Sequence, residues 1–157
     1  MGIASTLRDY LDQAGVDYEL VHHHYSRNSK ATAKAAQVPE HQLAKPVLLE
    51  DQQGYVMAVV PASRRVELSR LEKTLGRRLT LARERELRDL FSDCRKGAMP
   101  ALGQAYGVDV IWDDCLASSP DIYFDAGDHT DLVHMSGEEF TFLMARTAHG
   151  AISKPQD

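Results

Sequence analysis

Apolar residues recur along the chain with two alternating periods, and each switch of period marks a new element. Ile3, Leu7, Tyr10, Leu11 and Ala14 fall at helical spacing, and Gly15 supplies a stop. Residues 18–22 read as a strand. Ser29 or Thr32 is placed to cap a short alanine-rich helix that ends before Pro39. KPVLLED and YVMAVVP, separated by QQG, predict two strands joined by a tight turn. Both are apolar at nearly every position, the pattern of strands covered on both faces.

Further on, Leu68, Leu71 and Leu75 share one face of a predicted helix over 67–75, with Gly76 behind it. RRLTLA predicts a short strand. A second helix over 84–91 turns Leu87, Leu90 and Phe91 inward. Beyond the loop at Gly97, VDVIW, DIYFDAG and DLVHM read as three strands. Ser136 and Glu139 then form a capping box for a helix that buries Phe140, Leu143 and Met144. The tail from about Gly150 is expected to fray. Neither a repeat nor a low-complexity linker interrupts the pattern, so one mixed α/β domain over residues 1–157 is expected, with short strands at its centre and helices outside.

Composition changes this picture little. The 157 residues are 43% hydrophobic and 26% charged, as in an ordinary soluble domain. No apolar run approaches the about 20 residues of a membrane span, so no membrane partner is expected. The first residues lack the basic start and long apolar stretch of a secretory signal. Cys94 and Cys115 stand in no ligand-like spacing, and a reducing cytoplasm is the expected location. Charge is more informative. The net value is −5, yet residues 64–96 hold 11 Lys/Arg against 6 Asp/Glu. Such asymmetry is either the solvated face of two helices or a surface that steers a polyanion.

Most candidate chemistry fails on geometry. In a strand, His22 and His24 share one face and His23 points to the other, so the three cannot meet one metal. Cys94 sits between Asp93 and Arg95 and Cys115 follows Asp113 and Asp114, and neither has a visible catalytic partner. Ser63 lacks the Gly-x-Ser-x-Gly elbow of a hydrolase, and no phosphate-loop or dinucleotide fingerprint occurs. Two features remain. Lys45 stands at the mouth of an apolar strand, either as a snorkelling edge residue or as a point charge for a phosphate or polarised carbonyl. The stretch CRKGAMPALG, residues 94–103, sets two glycines and a proline close together with almost no side-chain chemistry.

In order, HHHYSRNSKATAKAAQVP, AKPVLLED, YVMAVVPASRRVELSRL, GAMPALG and YFDAGDHTDLVHMS resemble the YbaK / prolyl-tRNA synthetase editing-domain family of free-standing aminoacyl-tRNA deacylases. The resemblance runs from about Asp17 to Arg146. It implies a central mixed, mostly antiparallel sheet or barrel flanked by helices, without cofactor or metal. It also implies hydrolysis of the ester that joins a wrong amino acid to tRNA, a small one such as alanine on tRNA-Pro. The same fold used as a non-catalytic binding module for aminoacyl-tRNA or a synthetase is the alternative.

Residue by residue, the family's lysine falls on Lys45 and its Gly-x-x-Pro loop on Gly97, Ala98, Met99 and Pro100. The pocket histidine of the free-standing kind falls on His129, and His23 and Ser29 match the N-terminal motif. Val47, Met57 and Met99 are candidate walls limiting the amino acid's size, with Ser63 and Asp125 as further substrate contacts. Asp125 and Pro46 depart from the family pattern, where asparagine is frequent at the former. An aminoacyl ester is already activated, so the protein need only hold the carbonyl, place a water and stabilise the oxyanion. Backbone N–H groups of a rigid loop suit that task. Arg77, Arg78 and Arg85 are the candidate tRNA contacts in the basic segment. Expected partners are the acceptor end of mischarged tRNA and, through the resemblance, prolyl-tRNA synthetase or an elongation factor.

Overall fold

The computed structural model describes residues 2–156. In chain order the elements are α1 (Ser5–Ala14), β1 (Glu19–His22), α2 (Ser29–Ala36), β2 (Ala44–Asp51), β3 (Gly54–Pro61), β4 (Arg64–Val66), α3 (Leu68–Leu75), β5 (Thr80–Leu81), α4 (Glu84–Leu90), β6 (Asp109–Asp113), β7 (Asp121–Asp125), β8 (Asp131–Ser136), α5 (Gly137–Leu143), β9 (Ala148–Gly150) and β10 (Ser153–Pro155). The central sheet runs β5-β2-β3-β6-β9. Its first two pairings are antiparallel, while β3-β6 and β6-β9 are parallel. A second, antiparallel sheet runs β1-β8-β7, and β10 pairs with β4. Of the two forms expected, the open mixed sheet is the one found.

The hairpin expected from QQG forms around Asp51, whose side chain accepts from the Gln53 N–H at 2.8 Å. Strand β3 then divides its side chains between two cores with strict period two. Met57 and Val59 enter the larger core beneath α1 and α5, whereas Val56, Ala58 and Val60 enter a smaller one with Leu71 and Ile152. Neighbouring β6 splits the same way, Val110 and Trp112 to one side and Ile111 to the other. Burying Val56, Met57, Val59 and Val60 contributes about 1.5–3 kcal/mol each. At the start of α5 the Ser136 hydroxyl accepts from the Glu139 N–H at 3.1 Å, as the capping pattern predicts. Only glycine fits at 137, where a Cβ would fall on the Ser119 carbonyl oxygen.

Three expectations are corrected. Asn28, not Ser29 or Thr32, caps α2, its side chain accepting from the Ala31 N–H at 2.9 Å. Leu68 is 41% exposed, and α3 buries Leu71. The tail is not frayed but forms β9 and β10. Ile152 is fully buried, its N–H donating to Asp113 Oδ2 at 3.0 Å and its carbonyl accepting from the Glu67 N–H at 2.7 Å. Strands of three residues are too short to show a period, and these are held by long-range partners instead.

Across the second sheet, His134 lies between two carboxylates. Its Nδ1 is 2.7 Å from Glu19 Oε1 and its Nε2 2.9 Å from Asp121 Oδ1, and the ring stacks on Tyr123 at 4.3 Å. Burial opposes the imidazolium, but Asp121 and Glu19 together outweigh it and raise the pKa above the ordinary histidine value. With the folded pKa above the unfolded one, the stabilisation is full below about pH 6.5 and lost as pH rises through the folded value. His134→Gln should therefore destabilise the protein at pH 5.5–6 by about 1 kcal/mol or less, since the carboxylates are partly solvated, and the gap should close by about pH 9. Urea melts of both proteins across that range measure it.

Candidate functional site

One cleft gathers the starts of α2 and β2, the loop before Pro100 and the turn between β7 and β8. Ser29 and Thr32, Ala44 to Pro46, Gly97 with Met99, and Asp125 with His129 line its sides. Its volume is about 100 Å³. Lys45 is half-buried there, and its Nζ donates to the Arg64 carbonyl at 2.8 Å. An ammonium has three donors, so two remain for the cleft. Burial, with Lys30 adding to it and Glu40 opposing, holds the Lys45 pKa below the ordinary lysine value.

The loop is set by its backbone. The Ala98 N–H donates to the Arg95 carbonyl at 2.9 Å, closing a turn that carries Gly97 at φ 80° in its third position. That left-handed value favours glycine. The Ala98 amide is thereby occupied and Pro100 has none, which leaves Gly97 and Met99 as the loop's N–H groups without a partner among the described residues. Two bonds pin the loop to the facing turn. The Arg95 N–H donates to the Gly127 carbonyl at 2.8 Å, and His129 Nε2 lies 2.5 Å from the Lys96 carbonyl oxygen. A carbonyl only accepts, so Nε2 carries the proton.

His129 is itself held in the left-handed region, at φ 66°, and is buried. Asp125 fixes that conformation. Its Oδ1 accepts from the N–H groups of Gly127 at 2.8 Å, Asp128 at 3.2 Å and His129 at 3.4 Å, while Oδ2 lies 3.8 Å from His129 Nδ1. Tyr25 meets the imidazole edge-on at 5.3 Å. Burial pushes the Asp125 carboxyl above the ordinary carboxylate range, against the pull of the Gly127 amide and His129.

The structure thus brings together Lys45, Gly97, Met99, Asp125, His129 and Ser29, with Ala98 and Pro100 buried behind the loop. The other expected residues lie elsewhere. Met57 is fully buried in the main core against the 3-10 turn at Gly103, so it walls no cleft. Val47 lines a neighbouring groove, and Ser63 is half-buried in the turn between β3 and β4. His23 is buried beside the cleft, its Nδ1 2.6 Å from the His24 carbonyl oxygen and its N–H donating to the Thr130 carbonyl. Arg78 and Arg85 are exposed. Arg77 forks onto Asp51 at 2.8 and 2.5 Å and holds that carboxyl down to about 2. Asp51 lies six residues along β2 from Lys45, about 20 Å away. Arg27, Asn28, Thr32 and Leu43 line the cleft unforeseen, although an Asn immediately before an alanine-rich run was a readable signal for the capped end. Among the described residues no three metal-ligating side chains are gathered, and no helix is long and apolar enough to cross a membrane.

Because the folded pKa of Asp125 lies above its unfolded value, its contribution is full below about pH 3.9 and is lost as pH rises through the folded pKa. Asp125→Asn keeps the oxygen that accepts the three amides and removes the partly buried charge. The variant should melt higher than the parent at pH 7, with the difference shrinking toward pH 4. Thermal melts at the two pH values measure it.

Solved structures share this architecture. A hypothetical protein of known crystal structure matches with a TM-score of 0.84 at 19% identity, over 96% of this chain and all of that one. A protein proposed as a trans-editing enzyme for prolyl tRNA synthetase matches with a TM-score of 0.82 at 21% identity, over 98% of this chain and 97% of that one. In a larger protein from Marinobacter aquaeolei VT8, proposed to act in signal transduction, the match covers 94% of this chain and 30% of that one, with a TM-score of 0.77 and 21% identity. No curated protein sequence matches significantly. The model of the aminoacyl-tRNA editing domain matches residues 23–143, which contain every wall of the cleft, and the chain belongs to that family.

Proposed function

We propose that the protein is a free-standing deacylase that hydrolyses the ester of a small amino acid, alanine foremost, wrongly attached to tRNA-Pro. The observation that supports this most is the convergence of the Lys45 ammonium, the Gly97–Met99 backbone and the His129-braced turn on one cleft of about 100 Å³. Small-molecule sites commonly measure about 300–1,000 Å³, so this cleft suits a small acyl group and excludes larger ones, as a second sieve must.

Water attacks the acyl carbon, the ester C–O bond breaks, and the ribose hydroxyl leaves with a proton while the free amino acid departs. No protein nucleophile is needed. The amides of Gly97 and Met99 are the donors available to a developing oxyanion, and Lys45 offers its free donors to the ribose or phosphate of the terminal nucleotide. His129 is a positioning residue in this scheme. Its protonated nitrogen holds the Lys96 carbonyl and so fixes the loop. Neither thiol takes part, since burial pushes Cys94 up to about 12 and the Asp113 side chain raises Cys115.

Purified protein should release alanine from alanyl-tRNA-Pro far faster than proline from prolyl-tRNA-Pro. Equal rates, or no release from any member of a mischarged panel, overturn the reading. Lys45→Ala should lower turnover strongly with the melting curve retained. Gly97→Val, forced to φ 80° with a branched side chain against His129, should lose about 10²–10³ in rate. Ala98→Ser leaves the same amides in place and should change the rate little. Cys94→Ser with Cys115→Ser should stay active.

A further inference from the structure

A second groove adjoins the cleft and shares Pro46, Gly97 and Met99 with it. It lies between β2 and α4 and measures about 500 Å³, room for a nucleobase and its sugar. Its floor is apolar, made by Val47, Leu48, Leu87 and Phe91. At its lip Leu81 is 70% exposed, although nothing in the fold requires a leucine in water there. Along the rim stand Arg88, Arg95 and Lys96. Lys96 pairs loosely with Glu84 at 3.4 Å, whereas neither rim guanidinium has a partner among the described residues.

We propose that this groove seats the single-stranded 3′ end of the tRNA, with a base on the apolar floor against Leu81 and phosphates on Arg88 and Arg95. The inference rests on the editing reading and deepens it. Two observations select this occupant. The groove shares Pro46, Gly97 and Met99 with the cleft where the ester would lie, so a strand whose end enters the cleft has the groove directly beside it. An apolar floor beneath the two unpaired guanidiniums of Arg88 and Arg95 matches a strand that alternates flat bases with phosphates. It also relocates the nucleic-acid contact. Arg77, the first of the expected cations, is neutralised by Asp51 at the far end of β2, whereas the rim cations surround the site.

The test is fluorescence anisotropy with a labelled four-nucleotide single-stranded RNA bearing a free 3′ hydroxyl, at several salt concentrations. Arg88→Gln with Arg95→Gln should weaken binding about 10-fold at 0.1 M salt and flatten the log–log salt slope by about 1.4, two phosphate contacts at about 0.7 each. Leu81→Asp, at a position too exposed to matter for folding, should also weaken it. Arg146→Gln, in a separate groove beside Phe142, should not. Unchanged affinity in the double variant, no binding by the parent protein, or equal affinity for a poly-glutamate peptide overturns the proposal. Deacylation of mischarged tRNA by the parent protein is scored separately. A failure there defeats the editing reading, while normal turnover with an indifferent groove defeats only this one.

Discussion

Strand β3 has no face to give to water, and the rest of the molecule follows from that. Its side chains on both faces must be covered, so helices α1 and α5 close one core while α3 and Ile152, just ahead of β10, close the other. The antiparallel hairpin fixes β2 against it from Ala44 opposite Pro61 to Asp51 opposite Gly54. A slip of one residue would exchange the two cores wholesale, placing Met57 where Ala58 belongs. Register is therefore rigid, and the Ala44 end of the hairpin becomes a fixed edge from which a site can be hung.

What hangs there is mostly backbone. The Thr130 carbonyl receives the His23 N–H and the His129 carbonyl the Ser26 N–H, while the Gly127 carbonyl accepts from the Arg95 N–H and the Lys96 carbonyl from the His129 ring. Two residues in left-handed conformations, Gly97 and His129, face one another across this lacing. Strain of the kind seen at His129 persists where surroundings over-determine it, and here a partly buried carboxylate with three accepted amides does so. Asp125 is costly to the fold for the same reason that it is useful to the turn.

Periodicity made the long elements legible. The two-sided strands, the α5 cap and the helix stop at Gly15 all follow from residue spacing, and the ordered motifs led to Lys45, the Gly97 loop and His129. Three kinds of feature escaped. Strands β4, β9 and β10, three residues each, carry no period. Asp51, at the hairpin turn, gave no sign that it would neutralise Arg77 from across the fold. Met57 shows the limit of motif position alone: it sits one strand from the cleft, but pleating sends its side chain into the core between Gly103 and Val110.

The perch of Lys45 carries a consequence for the order in which the molecule can be completed. The lysine is held by the carbonyl of Arg64, and the Arg64 side chain is held in turn by Ser153, at 2.7 Å through its hydroxyl and 3.0 Å through its carbonyl. The strand that secures Arg64 is thus translated after the other nine. A nascent chain emerging from the ribosome can assemble the hairpin, both loops and the imidazole brace while its lysine still lacks this support. A cut near Gly150 would likewise leave Arg64 braced by a segment joined to the rest only through its own contacts.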